Sequence, residues 1–406
     1  MEIRKLDRWE EWFESDRIIG TAFLHGWDEK KSEEKFRKQA DGEEPREEEA
    51  WGLYDDKGRM QTSFVTSTRK VYFEGEAVPI SEVNMVASLP EGRGSGNVRA
   101  LMAAVLRDFR KRGDLFAVLH PFSFAFYRKY GFDLITERLS QKFPVGELRN
   151  YTCSMDVRQA RSEDEVPALL ALYERCACCK NLANVRTEKD FVYRGNGEYG
   201  QPAWHSRGQS YTYIFSDARG DHAYLKFVFE FGPEGPFTGD LRATELIFDS
   251  PEAFCSVLGF IYGMRAKLIN VVLEFPEDIH MAFLLPECDS AEEKFGGHLM
   301  GRVLDVKKVL ELLKQPEGQG AYVIRVEDSF LPEIGGTFRV SYRDGRTEQV
   351  TETADAPELT LSIQTFSQLS AGLYDLSAAL YRPGTVLSGN KEVFERLFVK
   401  KTICAD

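Results

Sequence analysis

The chain has 406 residues, of which 43% are hydrophobic and 29% charged, and its formal net charge is −13. This is the composition of an ordinary globular protein, and the length predicts two to four domains. The acidic balance disfavours nucleic-acid binding, which needs clustered Lys and Arg, and suits a cationic substrate better. Because no stretch approaches the roughly 18–20 apolar residues of a membrane span and the N-terminus is charged rather than signal-like, we expect a cytoplasmic protein.

The seven cysteines are Cys153, Cys176, Cys178, Cys179, Cys255, Cys288 and Cys404. An odd number in a chain of this size predicts reduced thiols. Three of them lie close together, but they lack the C-x-x-C spacing and the neighbouring His that are usual for a zinc site. We therefore expect no metal, and we interpret the three as small buried hydrophobes, with metal binding as the alternative.

A strand-rich unit is predicted for the first 148 residues, after a charged helix and loop over residues 27–50. The predicted strands are Glu49–Tyr54, Met60–Ser67, Lys70–Phe73, Ser81–Ser88 and Leu115–Leu119, and the segment Gln141–Pro144 closes the unit. Apolar residues recur every three to four positions over Val98–Arg112 and predict an amphipathic helix, which Gly113 is expected to end. A shorter helix is predicted over Ser123–Tyr130.

Two further domains are predicted, which gives boundaries at 1–148, 149–290 and 291–406. The middle domain has a helix with a capping box at Ser162 and Glu165, followed by the segments Ser210–Ser216, His222–Phe231, Arg242–Phe248, Ser250–Lys267 (helix) and Asn270–Glu274. The last domain has a strand and helix from Gly297, strands Tyr322–Glu327, Gly336–Tyr342 and Glu358–Ser362, and helices Gln364–Gly372 and Lys391–Phe398. The middle domain repeats the order of the first only loosely.

The turn between Ser81–Ser88 and the following helix carries the chemical signal. It contains Gly92, Arg93, Gly94, Ser95 and Gly96. Glycines let successive backbone N–H groups point inward, the helix adds its positive end, and the arginine adds a cation. The turn therefore predicts a cradle for a pyrophosphate, with a tight structural loop as the alternative. Its spacing matches neither the Rossmann nor the P-loop motif.

The segment Arg93–Gly96 resembles the R-x-x-G segment of the GCN5-related N-acetyltransferases. The resemblance implies that its amides hold the pyrophosphate of coenzyme A, and that the preceding strand bonds the pantetheine arm like an added strand. The implied cofactor-binding residues are Met85, Val86, Ala87, Arg93, Gly94, Ser95, Gly96 and Asn97.

A second segment, F-Y-R-K-Y-G-F over Phe126–Phe132, stands where that family has a helix after its next strand. The resemblance implies that Tyr127 is the general acid. A phenol with a reference pKa of about 10 can give a proton to the departing thiolate at neutral pH. Ordinary aromatic core packing is the alternative for Tyr127 and Tyr130.

The whole chain resembles the Eis (enhanced intracellular survival) branch of that family. The C-terminal likeness is carried by RVLDVKKVLELL, GTFRVSYRDG and PELTLSIQTFSQLSAGL. The implied fold is mixed α/β, with two tandem acetyltransferase-type domains, each a mixed central sheet flanked by helices, and a C-terminal α+β domain like sterol carrier protein. Acetyl-CoA as the acetyl donor and a hexamer of two stacked trimers are also implied.

The same resemblance places site residues near both ends of the chain. It implies that the free C-terminal carboxylate, here on Asp406, acts as the base or anchors the amine; burial would raise its pKa from about 3.5. A frayed tail is the alternative. In TAFLHGW, it implies Phe23, His25 and Trp27 as the lining of the amine site, with an exposed loop as the alternative.

Two functions are thus open. The first is an acetyl-CoA-dependent N-acetyltransferase whose primary-amine substrate (an aminoglycoside, a polyamine or a protein lysine) attacks the thioester directly. The second is a non-catalytic module that keeps the same fold and binds a lipid or a protein partner through its C-terminal domain.

Overall fold

The computed structural model describes residues 1–24, 27–42, 47–192, 210–232, 235–275 and 278–404. The chain divides into two compact units. The first unit contains Met1–Val71, Ala77–Ile135 and Leu299–Lys400, and the second contains the described residues of Tyr72–Glu76, Thr136–His298 and Lys401–Asp406. Since one compact unit can hold more than one domain, the three-domain division of the sequence stays a prediction.

The N-terminal part of the first unit is a sheet with helices packed on it. Its elements are β1 (Glu2–Lys5), α1 (Trp9–Phe23), α2 (Glu29–Ala40), β2 (Glu49–Tyr54), β3 (Met60–Phe73), β4 (Glu76–Ser88), α3 (Asn97–Arg112), β5 (Phe116–Leu119), α4 (Phe124–Arg128) and the start of β6 (Asp133–Pro144). Strands β1 to β5 lie side by side in chain order. The pairing is antiparallel from β1 to β3 and parallel between β4 and β5.

The sequence predicted the amphipathic helix α3 to within one residue, and its apolar stripe is fully buried from Leu101 to Phe109. The prediction of two strands within residues 60–73 was wrong, because β3 is continuous. The polar stretch in its middle stays extended because its side chains bond to β4: Thr68 shares a hydroxyl contact with Ser81 at 3.0 Å, and Arg69 pairs with Glu82.

The second unit is also built on a sheet. Its elements after β6 are β7 (Asp156–Gln159), α5 (Val166–Ala177), α6 (Lys189–Val192), β8 (Ser210–Asp217), β9 (Gly220–Gly232), β10 (Gly235–Phe248), α7 (Pro251–Gly263) and β11 (Leu268–Glu274). The strand order is β6-β11-β10-β9-β8-β7. Only the β10–β11 pair in that order is parallel.

The predicted capping box before α5 is not formed. The hydroxyl of Ser162 donates to the Asp164 carboxylate at 3.1 Å, and a 3₁₀ turn over Glu163–Glu165 precedes the helix. Pro167 accounts for the late start, since proline lacks an N–H and fits the first turn of a helix.

The cysteine cluster at the end of α5 only partly matches its interpretation as buried hydrophobes. Cys176 is buried, whereas Cys178 is half-buried and Cys179 is exposed.

The C-terminal part of the first unit begins with the end of β12 (Glu292–Val303), where Met300–Val303 pair antiparallel with β5. The elements that follow are α8 (Val306–Leu312), β13 (Gln319–Glu327), β14 (Gly336–Arg343), β15 (Arg346–Glu352), β16 (Leu359–Ser362), α9 (Ile363–Ala371), α10 (Leu376–Ala379), β17 (Val386–Leu387) and α11 (Lys391–Leu397). Strands β13 to β17 form a separate sheet in the order β15-β14-β13-β16-β17.

The tail is ordered as far as Cys404 and lies in the second unit. The N–H of Asn181 donates to the carbonyl of Thr402 at 3.0 Å, and the N–H of Cys404 donates back to the carbonyl of Asn181 at 3.0 Å. Cys404 is buried, and Lys401 pairs with Glu74. These contacts contradict a tail frayed from residue 399 onward. Within the described residues, no helix is long and apolar enough to cross a membrane.

Candidate active site

Strands β4 and β5 part midway along β4. Their parallel register ends with Glu82 opposite Val118; β5 stops one residue later, while β4 runs on to Ser88. The last part of β4 therefore has no β5 residue opposite it. Met85 has a left-handed backbone with φ 49°, an irregularity typical of a β-bulge. An open strand edge of this kind can bind an extended ligand as an added strand.

The turn after β4 presents unused backbone donors. Gly94 and Gly96 have φ values of 79° and 84°, and nothing lies within 4 Å of a Cβ built at either position. Glycine is therefore needed at these positions for the left-handed backbone conformation, and not because a side chain would lack space. Within the described residues, no hydrogen bond takes the N–H of Gly94, Ser95 or Gly96. The helix α3 begins at Asn97 without a side-chain cap, so its positive end faces the same turn.

A cavity of about 770 Å³ lies over the turn, within the size range of ligand sites. Of the predicted cofactor residues, those in its wall are Val86, Arg93, Gly94, Gly96 and Asn97. The other three are Met85, Ala87 and Ser95: Met85 is exposed, Ala87 is buried, and the Ser95 hydroxyl donates to the Gly92 carbonyl at 2.5 Å. Arg93 is exposed and has no ion-pair partner among the described side chains.

An aromatic wall, which we define as Phe122, Phe126 and Tyr130, lines the cavity. Phe122 and Phe126 have ring centroids 5.1 Å apart, and Phe126 and Tyr130 are 5.4 Å apart. Arg99, from the first turn of α3, lines the cavity as well. Sequence reasoning placed none of these four in the cofactor or amine sets; the aromatic spacing of F-S-F-A-F-Y-R-K-Y was the available signal.

Tyr127 lies directly behind this wall on α4, whose first turn is capped by the Ser123 hydroxyl accepting the Phe126 N–H at 3.3 Å. It is 3% exposed and packs edge to face on Phe122 and Phe126. Burial raises the pKa of the Tyr127 phenol well above its usual value, and the neighbouring Tyr130 adds to the shift. Burial also raises the pKa of Tyr130, although the Arg99 charge opposes that rise. Both phenols therefore stay protonated at neutral pH.

A charged group lies where the two strands part. Glu82 is the last β4 residue in register with β5, is 8% exposed and pairs with Arg69. His120, the residue after β5, has its Nε2 3.7 Å from the Glu82 Oε1. Neither Glu82 nor His120 was predicted from the sequence. The available signals were an acidic residue inside an apolar strand and a histidine directly after the next strand.

The three residues predicted to line the amine site have different surroundings. Phe23, at the end of α1, is 44% exposed and lines the cavity. Trp27 packs back on α1: its Nε1 donates to Asp16 at 2.9 Å and its ring lies 5.4 Å from Phe13. Trp27 does not belong to the cavity wall. His25 lies outside the described residues, as does the predicted base Asp406.

Metal ligation finds no support in the described part of the chain, where no three or more His, Cys, Asp or Glu side chains are grouped as a metal site would require. The arrangement instead combines an open strand edge, unused amides, a cation and protonated phenols, which suits an extended ligand with a phosphate group.

Two parts of the chain match known domain families. Residues 2–135 match the acetyltransferase (GNAT) domain, and residues 306–404 match the sterol carrier protein domain. The first match includes the open strand edge, the glycine turn and the aromatic wall. The chain is therefore an N-acetyltransferase that also carries a sterol-carrier-type domain.

Similarity beyond these two domains extends to one curated protein and to several solved structures. An uncharacterized N-acetyltransferase of Streptomyces avermitilis is 23% identical over 335 residues, which is 77% of each chain. Solved structures that cover nearly all of this chain include a GCN5-related N-acetyltransferase of Anabaena variabilis (TM-score 0.79, 19% identity, 99% of this chain and 98% of that one). A probable N-acyltransferase of Enterococcus faecalis has TM-score 0.81 and 21% identity, covering 100% and 99% of the two chains. Eis1 of Mycobacterium abscessus has TM-score 0.76 and 17% identity, covering 100% and 99%. These structures confirm the predicted fold class.

Proposed function

We propose that this N-acetyltransferase transfers the acetyl group of acetyl-CoA to a primary amine and that it is an Eis-type enzyme. The amines that fit are those of an aminoglycoside, a polyamine or a protein lysine. The observation that carries the proposal is the turn Arg93–Gly96, whose unused amides and exposed cation adjoin an open strand edge. We also propose a cytoplasmic location and the hexamer that the family resemblance implies; light scattering tests the latter.

Acetyl-CoA would lie along β4 with its pyrophosphate on the turn. The backbone of Met85, Val86 and Ala87 offers the pantetheine amides a strand to pair with, because β5 ends before that point. The N–H groups of Gly94–Asn97 and the Arg93 guanidinium offer charge-assisted bonds to the phosphates. The cavity beyond the strand edge leaves room for the acceptor.

Transfer would proceed by direct attack. The neutral amine nitrogen bonds to the thioester carbon, and the backbone donors of the open edge stabilise the charge that develops on the carbonyl oxygen. The carbon–sulfur bond then breaks, and the sulfur takes a proton from the Tyr127 phenol. The amine proton passes to a base, which releases it to solvent, and the tyrosinate takes a proton from solvent, so both groups are regenerated. The products are the N-acetyl amine and CoA with a free thiol.

The base in this proposal is the α-carboxylate of Asp406, with the amine anchored by it or deprotonated through it. The resemblance to Eis-type enzymes supports this role. Within the described residues, the bonds between Asn181 and the backbone of Thr402 and Cys404 order the segment that precedes it.

The decisive experiment is calorimetric titration with acetyl-CoA, followed by a thiol-release assay over polyamines, aminoglycosides and lysine peptides. We expect Tyr127→Phe to lose about 100-fold or more in kcat while its affinity for CoA stays within about twofold. Tyr130→Phe is the matched control, since it removes the other phenol of the same segment. Full activity in Tyr127→Phe with loss in Tyr130→Phe would transfer the acid role to Tyr130. Failure of the wild-type protein to bind CoA would contradict the proposed function.

The terminal carboxylate is tested separately from the Asp406 side chain. A two-glycine extension moves the carboxylate away and should lower kcat/KM for the amine about tenfold or more, whereas Asp406→Asn keeps the carboxylate and should have little effect. Equal activity of the extended chain and the wild type would remove the carboxylate from the mechanism.

A further inference from the structure

The C-terminal part of the first unit holds the segment that carries the aromatic wall by its backbone. Three carbonyl groups accept side-chain hydrogen bonds: that of Arg128 from Gln364 (3.2 Å), that of Tyr130 from Arg302 (2.6 Å) and that of Leu134 from Gln368 (2.9 Å). Because a carbonyl is the same in every residue, these bonds fix the course of the chain and not the identity of its side chains.

The central bond of the three comes from a buried ion pair. Arg302 and Asp328 are both fully buried side chains, and Arg302 Nη2 donates to Asp328 Oδ2. Among the described residues, the Nε of Arg302 has no hydrogen-bond partner. A buried pair that leaves a donor unsatisfied is a poor source of core stability, since well-packed apolar residues of similar volume often do as well or better. The geometry of the pair is better explained by the hydrogen bond from the Arg302 guanidinium to the Tyr130 carbonyl.

Gly131 shows how closely the guanidinium is fitted to this segment. A Cβ at this position would lie 2.5 Å from Arg302 Nη1, and Gly131 also has a left-handed backbone with φ 81°. Any side chain there would displace the guanidinium from the Tyr130 carbonyl. The glycine of F-Y-R-K-Y-G-F is thus required by a residue far along the chain.

Asp328 also positions the ring of Tyr130, through the neighbouring residue Phe330. Its Oδ1 accepts the N–H groups of Phe330 and Leu331, both at 2.9 Å. The Phe330 ring packs edge to face on Tyr130 with centroids 5.2 Å apart, and Arg99 stacks on the same ring at 4.8 Å. Tyr130 and Arg99 both line the cavity. One ion pair therefore fixes the backbone of the wall and its supporting ring.

We propose that Arg302 and Asp328 are positioning residues for acetyl transfer, which hold the tyrosine-bearing segment at its working distance from the CoA turn. The inference rests on the proposed function. It gives the C-terminal domain a part in catalysis that requires no ligand of its own. Displacements of about 1 Å in an active site can lower the rate on the order of 100-fold.

The test compares Arg302→Lys with Arg186→Lys. Arg186 is also buried and pairs with Glu245 at 2.6 Å, in the second unit. We expect Arg302→Lys to lower kcat on the order of 10- to 100-fold while the Kd for CoA changes less than about threefold, because the turn Arg93–Gly96 is untouched. Asp328→Asn should act in the same direction. Arg186→Lys should leave kcat within about twofold at a temperature where both variants are folded.

Hydrogen exchange gives a readout that needs no activity. Arg302→Lys should exchange faster at the amides of residues 124–134, without a change in α3, and Arg186→Lys should not. If the wild type turns over and Arg302→Lys keeps its kcat, the inference is wrong and the proposed function stands. If the wild type acetylates no amine, the proposed function fails and exchange decides: unchanged rates at 124–134 overturn the positioning role.

A milder variant covers the case in which Arg302→Lys does not fold. Phe330→Leu leaves the ion pair intact and removes the ring on which both Tyr130 and Arg99 pack. It should lower kcat with the CoA affinity retained, and an unchanged kcat would contradict the route from Asp328 to the wall.

Discussion

Two β–α–β elements of this molecule are built alike and differ at the turn that precedes the helix. In the first unit β4, α3 and β5 follow one another, and in the second unit β10, α7 and β11 do; each pair of strands is parallel. The turn before α3 is long and leaves amides unused. The turn before α7 is short: Ser250 caps the helix by accepting the Ala253 N–H at 3.3 Å, and Pro251 follows at the first position.

The charges of the two turns are opposite. Arg93 is exposed in the first turn, whereas Asp249 stands in the second and is engaged by Arg175 at 3.0 Å and by His222 at 3.1 Å. An acidic residue at this place repels a phosphate, and a capped helix has fewer donors to offer it. The second turn is thus satisfied within the protein, while the first can be satisfied by a ligand.

The space beyond the strand differs as well. In the second unit Phe248, Phe254 and Phe275 pack together, with Phe248 and Phe254 centroids 4.9 Å apart and Phe254 and Phe275 5.6 Å apart. In the first unit the strand end borders a cavity of about 770 Å³. The same scaffold becomes a ligand site only where the turn keeps its donors unused and the core leaves a volume open.

The largest expected effect is a loss of stability when the packed phenylalanine cluster of the second unit is disrupted. Phe254→Ala removes a buried ring and should cost about 3–5 kcal/mol of unfolding free energy, without changing the CoA affinity of the folded protein. Phe122→Ala, at a ring that is 67% exposed, should change stability by less than about 0.5 kcal/mol and raise the KM for the amine. Chemical denaturation with calorimetry measures both. Equal destabilisation by the two variants would contradict the conclusion that the second unit is packed where the first unit has an open cavity.

The next largest effect should come from adding a negative charge to each turn. Gly96→Asp places a carboxylate in the cradle, and Asp tolerates the left-handed backbone better than most residues. Repulsion from a phosphate about 4 Å away amounts to several kcal/mol at an intermediate dielectric, so the Kd for CoA should rise on the order of 100-fold. Ser250→Asp makes the same change in a turn where Asp is also a good cap.

The Ser250→Asp variant should bind CoA like the wild type and keep its stability. A similar loss of affinity in both variants would mean that the effect comes from net charge and not from the site.

Local pattern was enough to predict the turn and its helix. Helix α3 and its glycines were readable because hydrophobic periodicity and left-handed turns depend on neighbouring residues. Strand β15 was not predicted, because its local pattern gives no strand signal. Its sequence R-T-E-Q-V-T-E has one buried residue, Val350, and an edge strand made of polar residues resembles a loop.

Contacts between distant parts of the chain were not readable. Tyr130 contacts Phe330, which lies 200 residues later in the sequence, and neither segment contains a pattern that predicts this contact. Likewise, Glu82 and His120 lie on different strands, and only the register of β4 against β5 brings them to the same place.

Arg93→Gln should have a smaller effect than the added charge. Loss of one charge-assisted bond to the pyrophosphate should weaken CoA binding about tenfold, and the affinity of the variant should depend less on salt. Arg175→Gln is the control from the second turn, where the guanidinium serves Asp249, and should leave CoA binding unchanged. Calorimetric titration at two salt concentrations distinguishes them, and an unaltered salt dependence in Arg93→Gln would remove the arginine from the cradle.

The smallest effect concerns the pH dependence of the second turn. Burial lowers the pKa of His222, but hydrogen bonds to Asp249 and Asp217 outweigh it and raise the pKa above its usual value. Arg175 and Arg219 pair with the same two carboxylates. Since the folded state favours the protonated imidazole, its stabilisation is complete below the unfolded pKa of about 6.5 and is lost as the pH rises through the folded value.

His222→Gln should therefore destabilise the protein by at most about 1 kcal/mol near pH 5.5, and by less near pH 8.5. Thermal unfolding at the two pH values measures the difference, with CoA affinity as the control that should stay constant. A larger loss at pH 8.5 would show that the imidazole acts in its neutral form, and that the second turn is held by packing and not by charge.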